Sequence, residues 1–222
     1  MAETKKTSGA KAAEVRRPEG RRAEAKRAAI VAAARETFLA NGYGVSMDTV
    51  AAEANVSKVT VYNHFGSKEA LFIAIINHEL DEALKEGVQI VERRLADSED
   101  LRGDLIHACR AWVAGIAAPV VMDLRAVVVG ELRRFPELGH AWQTRGPLRF
   151  HPVIAEALAR LVKRGDLNID DIDLAVLQLS GLVVSPNLVY GGYGSPLSED
   201  LKDKLIVAGV DVFLSRYAAQ AA

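Results

Sequence analysis

The chain has 222 residues, 50% of them hydrophobic, a formal net charge of −1 and one cysteine. That supply of apolar side chains fills a core in one large or two small domains, and a lone Cys109 excludes an intrachain disulfide and suits a reducing compartment. The charge is uneven: residues 1–68 carry twelve Lys and Arg against seven Asp and Glu, while the rest is acidic, so a polyanion is expected to meet only the N-terminal part.

The longest apolar run, 111–122, is interrupted by Gly115 and Pro119 and is too short to span a bilayer. The charged N-terminus has no hydrophobic segment of the kind a secretory signal needs. A cytoplasmic protein without membrane contact is expected.

Residues 1–22 hold almost no large apolar side chain and read as a flexible basic arm. Its Arg16, Arg17, Arg21 and Arg22 either reach a neighbouring minor groove or serve only to solubilise. Residues 23–70 read as a small three-helix head. The first helix is predicted over about 23–40, with Ile30, Ala34, Thr37 and Phe38 on one side and Asn41-Gly42 as its end. Ser46 or Asp48 starts the second, and its N-terminus is a ready phosphate site. Val50, Ala51 and Ala54 form the inner stripe of that helix, and Asn55 tolerates the left-handed backbone of a sharp turn. Ser57 caps the next helix, 58–65, which turns Val61 and Phe65 inward. Two short helices at a steep angle, the second with a polar outer face, make a helix-turn-helix.

The geometry of such a unit assigns roles. Lys58, Val59, Thr60 and Asn63 project where base edges would lie: Asn reads adenine, Lys donates to guanine, and Val or a Thr methyl touches the thymine methyl. Ser46, Thr49, Tyr62, His64 and Lys68 are better placed for phosphates, and Ser57, at the helix N-terminus, completes the DNA-binding set.

Residues 71–222 read as a ligand-binding and dimerisation domain built of helices alone. Ser67 caps a long helix running toward Ala96. Further helices are predicted over 100–119, 121–135, 136–165 with a break or bend at Pro147 or Pro152, 170–190, and 198–217, with a Gly-rich loop at 191–196. No period-two strand pattern is present, so the fold class is all-α.

The string TVAAEANVSKVTVYNHFGSKEAL, with Tyr62, Phe65, Ser67, Lys68, Glu69 and Leu71 at its signature positions, resembles the TetR family of transcriptional regulators. Val59 departs from the glycine or small residue usual there, so base contacts do not transfer from relatives. The segment Val129–Gly139, VGELRRFPELG, resembles the efflux-associated, AefR-like members. The resemblance implies phosphate contacts from Tyr62 and Lys68, a homodimer through the last two helices, and a small-molecule effector pocket in the bundle.

One head reads too few base pairs for selectivity, so a dimer on a near-palindromic double-stranded DNA operator is the physical expectation too. The pocket candidates are Trp112, Met122, Arg125, Phe135, Trp142, Phe150, Gln178 and Asn187, with His107, Arg149 and Tyr190 nearby in type; ordinary core packing is the competing reading for each. The reading is a ligand-responsive regulator, a repressor released by an apolar or amphipathic effector. The alternatives are an architectural DNA-binding protein without effector, or an enzyme. The sequence lacks a nucleophile elbow, a Walker loop and a zincin motif, and its five histidines lack metal-ligand spacing, so no cofactor or metal is expected.

Overall fold

The computed structural model describes residues 20–95 and 97–219. Among these, eleven α-helices follow one another and no strand forms; a single isolated bridge joins Leu167 to Ala218. The arm at residues 1–19, with Arg16 and Arg17, lies outside the described residues. Arg21 and Arg22, expected in the arm, are the first two residues of the first helix.

The head consists of α1 (Arg21–Asn41), α2 (Met47–Glu53) and α3 (Lys58–Phe65). Its turn chemistry is what the residue types dictate. The Ser46 and Ser57 hydroxyls accept from the backbone N–H of Thr49 and Thr60, each at 3.1 Å, satisfying donors that a helix start leaves free. Asn55 is the only non-glycine residue with positive φ among those described, at 50°. Gly66 ends α3 at φ 78°, a conformation only glycine adopts without strain. Ile30, Ala34, Phe38, Val50, Val61, Leu71, Phe72 and Ile75 are all fully buried.

The long helix α4 (Lys68–Ile90) starts at Ser67, whose hydroxyl accepts from Ala70 N–H, and closes with a π-helical turn at Val91–Leu95. It has two burial zones. Leu71, Phe72, Ile75, Ile76 and Leu80 belong to the head's core, whereas Leu84 and Ile90 belong to the core of the bundle. The head's core extends past α4: Val121, Leu124 and Val128 of α6 (Pro119–Glu131) and Leu138 of α7 (Pro136–Arg145) are part of it.

The bundle adds α5 (Leu101–Ile116), α8 (Pro147–Arg164), α9 (Ile172–Val183), α10 (Ser185–Gly192) and α11 (Glu199–Tyr217). One expectation needs correction. The chain from 170 to 190 is not one helix: it breaks at Val184, because Pro186 has no N–H to continue the ladder. Of the two prolines expected to break or bend 136–165, Pro147 marks the break, after Gly146, and Pro152 leaves α8 unbroken. The carbonyl Pro152 leaves without its usual donor is that of Leu148, whose side chain is 63% exposed, so water can serve it.

Ion pairs fix the relative placement of the helices. Glu79 of α4, 7% exposed, accepts from Arg35 of α1 at 3.0 Å. Asp81 binds Arg145 of α7 and Arg149 of α8. Bidentate pairs Arg102–Asp211 and Arg110–Asp203 hold α11 against α5.

At the crossing of α4 and α5, a Cβ added to Gly115 would lie 1.8 Å from the Ala83 carbonyl oxygen. Alanine gains about 1 kcal/mol in helix propensity over glycine, but here it must push two backbones apart. We expect Gly115→Ala to destabilise the fold by about 1–3 kcal/mol, read as a lowered denaturation midpoint in urea. Ser57→Ala should cost about 1 kcal/mol through the lost cap, read in the same titration.

Candidate DNA-binding face and cavities of the bundle

The outer face of α3 forms because Val61 and Phe65 point inward and fix its rotation. Arg27 of α1 lies over the Phe65 ring, 4.8 Å from its centroid, and locks the helix from the other side. Lys58, Val59, Tyr62 and Asn63 are then exposed, and Thr60 and His64 half-buried. Val59 is 65% exposed; such an apolar residue on the outer face of a capped helix has nothing within the head to pack against. Ser46 and Thr49 are exposed at the start of α2, with their hydroxyls 2.9 Å apart.

Three of the sequence-selected groups have a partner within the head, and for Lys58 and Lys68 that partner is tertiary. The Lys58 ammonium donates to Asp48 of α2 at 2.7 Å, a pairing that raises its pKa above the ordinary lysine value. The Ser57 hydroxyl accepts from Thr60 N–H and lies 2.8 Å from the Thr60 hydroxyl, so its first task is to cap α3. Lys68 is half-buried with its ammonium 4.7 Å from the centroid of the Tyr43 ring, and burial lowers its pKa. Tyr43 in turn donates to Glu69 at 3.3 Å. Lys68 therefore braces the aromatic cluster of Phe38, Tyr43 and Phe72 besides carrying charge. Burial and the nearby Lys26 and Arg27 push the His64 pKa down, so at pH 7 it offers a neutral N–H rather than a cation.

The eight bundle residues selected as pocket candidates do not form one site. Trp112 and Phe150 pack on each other with ring centroids 4.7 Å apart and line a void of about 10 Å³, room for one water at most. Phe135 belongs with the head, its ring 4.9 Å from that of Tyr43, and Trp142 packs on the same core. Gln178 is exposed and accepts from the Tyr217 hydroxyl at 2.6 Å. Met122 and Asn187 share a cavity of about 460 Å³ between the α5–α6 corner and the α10–α11 connection. Arg125 lies beside it, its guanidinium close to Gly192. Large side-chain size drew attention to the aromatics; the cavity is instead lined by small residues, Ala117, Gly191 and Gly194 among them, which carry no signal in a single sequence.

Among the described residues no His, Cys, Asp and Glu groups are arranged to hold a metal ion, and no single helix is long and apolar enough to cross a membrane.

Comparison with known proteins agrees with this architecture. Residues 30–75 match the family model described as bacterial regulatory proteins, tetR family, and residues 103–219 match that of the AefR-like transcriptional repressor, C-terminal domain. A TetR-family regulator from Mesorhizobium loti superposes with a TM-score of 0.83 at 27% identity, covering 90% of this chain and all of that one. The flavonoid-responsive regulator FrrA superposes with a TM-score of 0.73, also at 27% identity, covering 89% of this chain and 100% of FrrA. In sequence, the transcriptional regulator RutR of Escherichia coli is 40% identical over 120 residues, 46% of this chain and 54% of RutR. The transcriptional activator FasR of Mycolicibacterium smegmatis is 36% identical over 74 residues, 33% of each chain. This chain thus spans between a third and about half of the length of these curated relatives. The relatives are DNA-binding transcriptional regulators and not enzymes, and the chain belongs to the TetR family of transcriptional regulators.

Proposed function

We propose that the chain is a homodimeric, effector-responsive repressor that binds a near-palindromic operator in the cytoplasm. The observation that carries the DNA-binding part is the outer face of α3, where Lys58, Val59 and Asn63 stand exposed on a helix whose rotation is fixed by buried Val61 and Phe65. In this reading Asn63 takes an adenine edge, Val59 a thymine methyl and Lys58 a guanine, with Thr60 beside them. Ser46, Thr49, Ser57, Tyr62, His64 and Lys68 face phosphates.

Dimerisation through α9–α11 is supported by the apolar residues those helices leave exposed. Leu174, Leu177, Val189, Tyr190, Leu201 and Val212 are between 43% and 58% exposed, while the opposite side of α11 is committed to α5 through Asp203 and Asp211. Apolar surface on this scale in a monomer marks an association site. Repression is supported by the description of the C-terminal family match, and effector response by the similarity to FrrA; a flavonoid panel is therefore the first effector set to test. An effector releases DNA only by the margin with which it prefers the DNA-incompetent state.

The primary experiment is retention of sheared genomic DNA on the purified protein near physiological salt, followed by sequencing. Enrichment of one near-palindromic site is the expected result. Retention without sequence preference, lost steeply as salt rises, would leave only backbone binding and overturn the reading. On the enriched site, Asn63→Ala should relax preference at one position by about 1–3 kcal/mol. Tyr62→Phe should weaken all sequences alike. An unchanged site selection with Asn63→Ala would remove Asn63 from base recognition.

A further inference from the structure

The cavity between α5, α6, α10 and α11 is lined by Asn187, whose side chain the fold uses at one end only. Asn187, on α10, is 3% exposed. Its Nδ2 donates to the Val183 carbonyl at 3.0 Å, serving a carbonyl at the break between α9 and α10. Its Oδ1 is buried and has no hydrogen-bond donor among the described residues. A buried acceptor left unmet is costly, so a native site that keeps one invites a donor from outside.

The surroundings define which donor. Asn187 lines the cavity of about 460 Å³ together with Met122, Ala117, Pro119 and Leu197, a wall of mostly apolar carbon. Three charged side chains are also part of the lining: Lys202 pairs with Glu199 at 2.7 Å, and Asp123 follows Met122 on α6, which disfavours an anionic occupant. A second cavity, of about 410 Å³, shares Ala117, Pro119, Glu199 and Lys202, so the space continues along α11 toward Arg110.

The location gives occupancy a route to the head. Met122 and Pro119 belong to the first turn of α6, and the other side of that helix carries Val121, Leu124 and Val128 into the same core as Phe38, Val50 and Val61. On the cavity side, α10 approaches α6 so closely that a Cβ on Gly191 would sit 2.9 Å from the Met122 methyl. A molecule lodged there bears on α6 directly, and α6 is packed on the head.

Resting on the reading that the chain responds to an effector, we propose that this cavity, and not the closed aromatic core at Trp112 and Phe150, is the effector site. It takes an uncharged, largely apolar molecule carrying a hydroxyl or amine N–H that donates to Asn187 Oδ1.

The test uses the full chain and two probes of nearly equal shape: 2-naphthol, which has one O–H donor, and 2-methoxynaphthalene, which has none. Binding is followed by fluorescence, and DNA release is followed on the fragment retained from the genome. The expected result is that 2-naphthol binds roughly tenfold more tightly than the ether, the ratio that one hydrogen bond supplies. Asn187→Leu should abolish that preference. Met122→Trp, which fills the cavity from the α6 side and leaves the Asn187 side chain in place, should abolish binding and DNA release together while the circular dichroism spectrum stays helical.

Equal binding of the two probes, or binding that survives Met122→Trp, overturns the site while leaving effector response standing. A change in the dimer's dissociation constant with Asn187→Leu, without change in probe binding, also overturns it, since Oδ1 would then serve the partner subunit. Probe binding that obeys both variants but leaves DNA affinity unmoved supports the ligand site and sinks the effector reading instead.

Discussion

The structure depends on α4 being buried in two cores at once. Its first half supplies Leu71, Phe72, Ile75, Ile76 and Leu80 to the head, and its second half supplies Leu84 and Ile90 to the bundle. Neither core closes without that helix, so head and bundle are not beads on a linker. The Arg35–Glu79 pair strengthens this at a sensitive place: Glu79 is nearly buried, and stripping a buried carboxylate of its partner is far costlier than the pair is worth in water. A few residues on, Asp81 reaches the opposite way, to Arg145 and Arg149. The helix is therefore clamped to α1 on one side and to α7 and α8 on the other.

The second shared element is α6. Its buried face completes the head's core, and its N-terminal turn forms one wall of a cavity. The aromatic residues divide accordingly. Phe135 and Trp142 pack with the head, whereas Trp112 and Phe150 pack in the bundle, each set close-packed as interiors are. An element that finishes one core while walling an opening elsewhere carries a displacement at the opening to that core.

Much of this was legible in the sequence wherever the physics is local. Ser46, Ser57 and Ser67 cap helices because a hydroxyl three residues ahead of a free N–H is within reach whatever the rest of the chain does. Asn55 takes the left-handed backbone for an equally local reason. The inward set Val61 and Phe65, and with it the exposed face of α3, follows from helical period alone. The break at Val184 is less legible because apolar residues continue on both sides of it, and helical period does not report the N–H that Pro186 lacks. Of the two prolines in 136–165, Pro147 opens α8, while Pro152 stays inside it where an exposed turn supplies what the ladder lacks.

The cavity was illegible for a different reason: it joins residues 117–123 to 187–202, and no single-chain periodicity reports on that meeting. The Lys58–Asp48 and Lys68–Tyr43 contacts are also tertiary, and they change what two candidate lysines can do.

The backbone contact at Gly115 has a mechanical consequence. Where α4 and α5 cross, no side chain of Gly115 lies between it and the Ala83 carbonyl, so there is no compressible layer there. A helix touching another at such a point turns about it more easily than it slides or rolls, because sliding would bring a residue with a Cβ into the same gap. From Ala83 to Lys68, fifteen residues at helical rise make an arm of about 22 Å. A tilt of about 5° around that fulcrum carries the head end of α4 through about 2 Å, with the crossing itself unmoved.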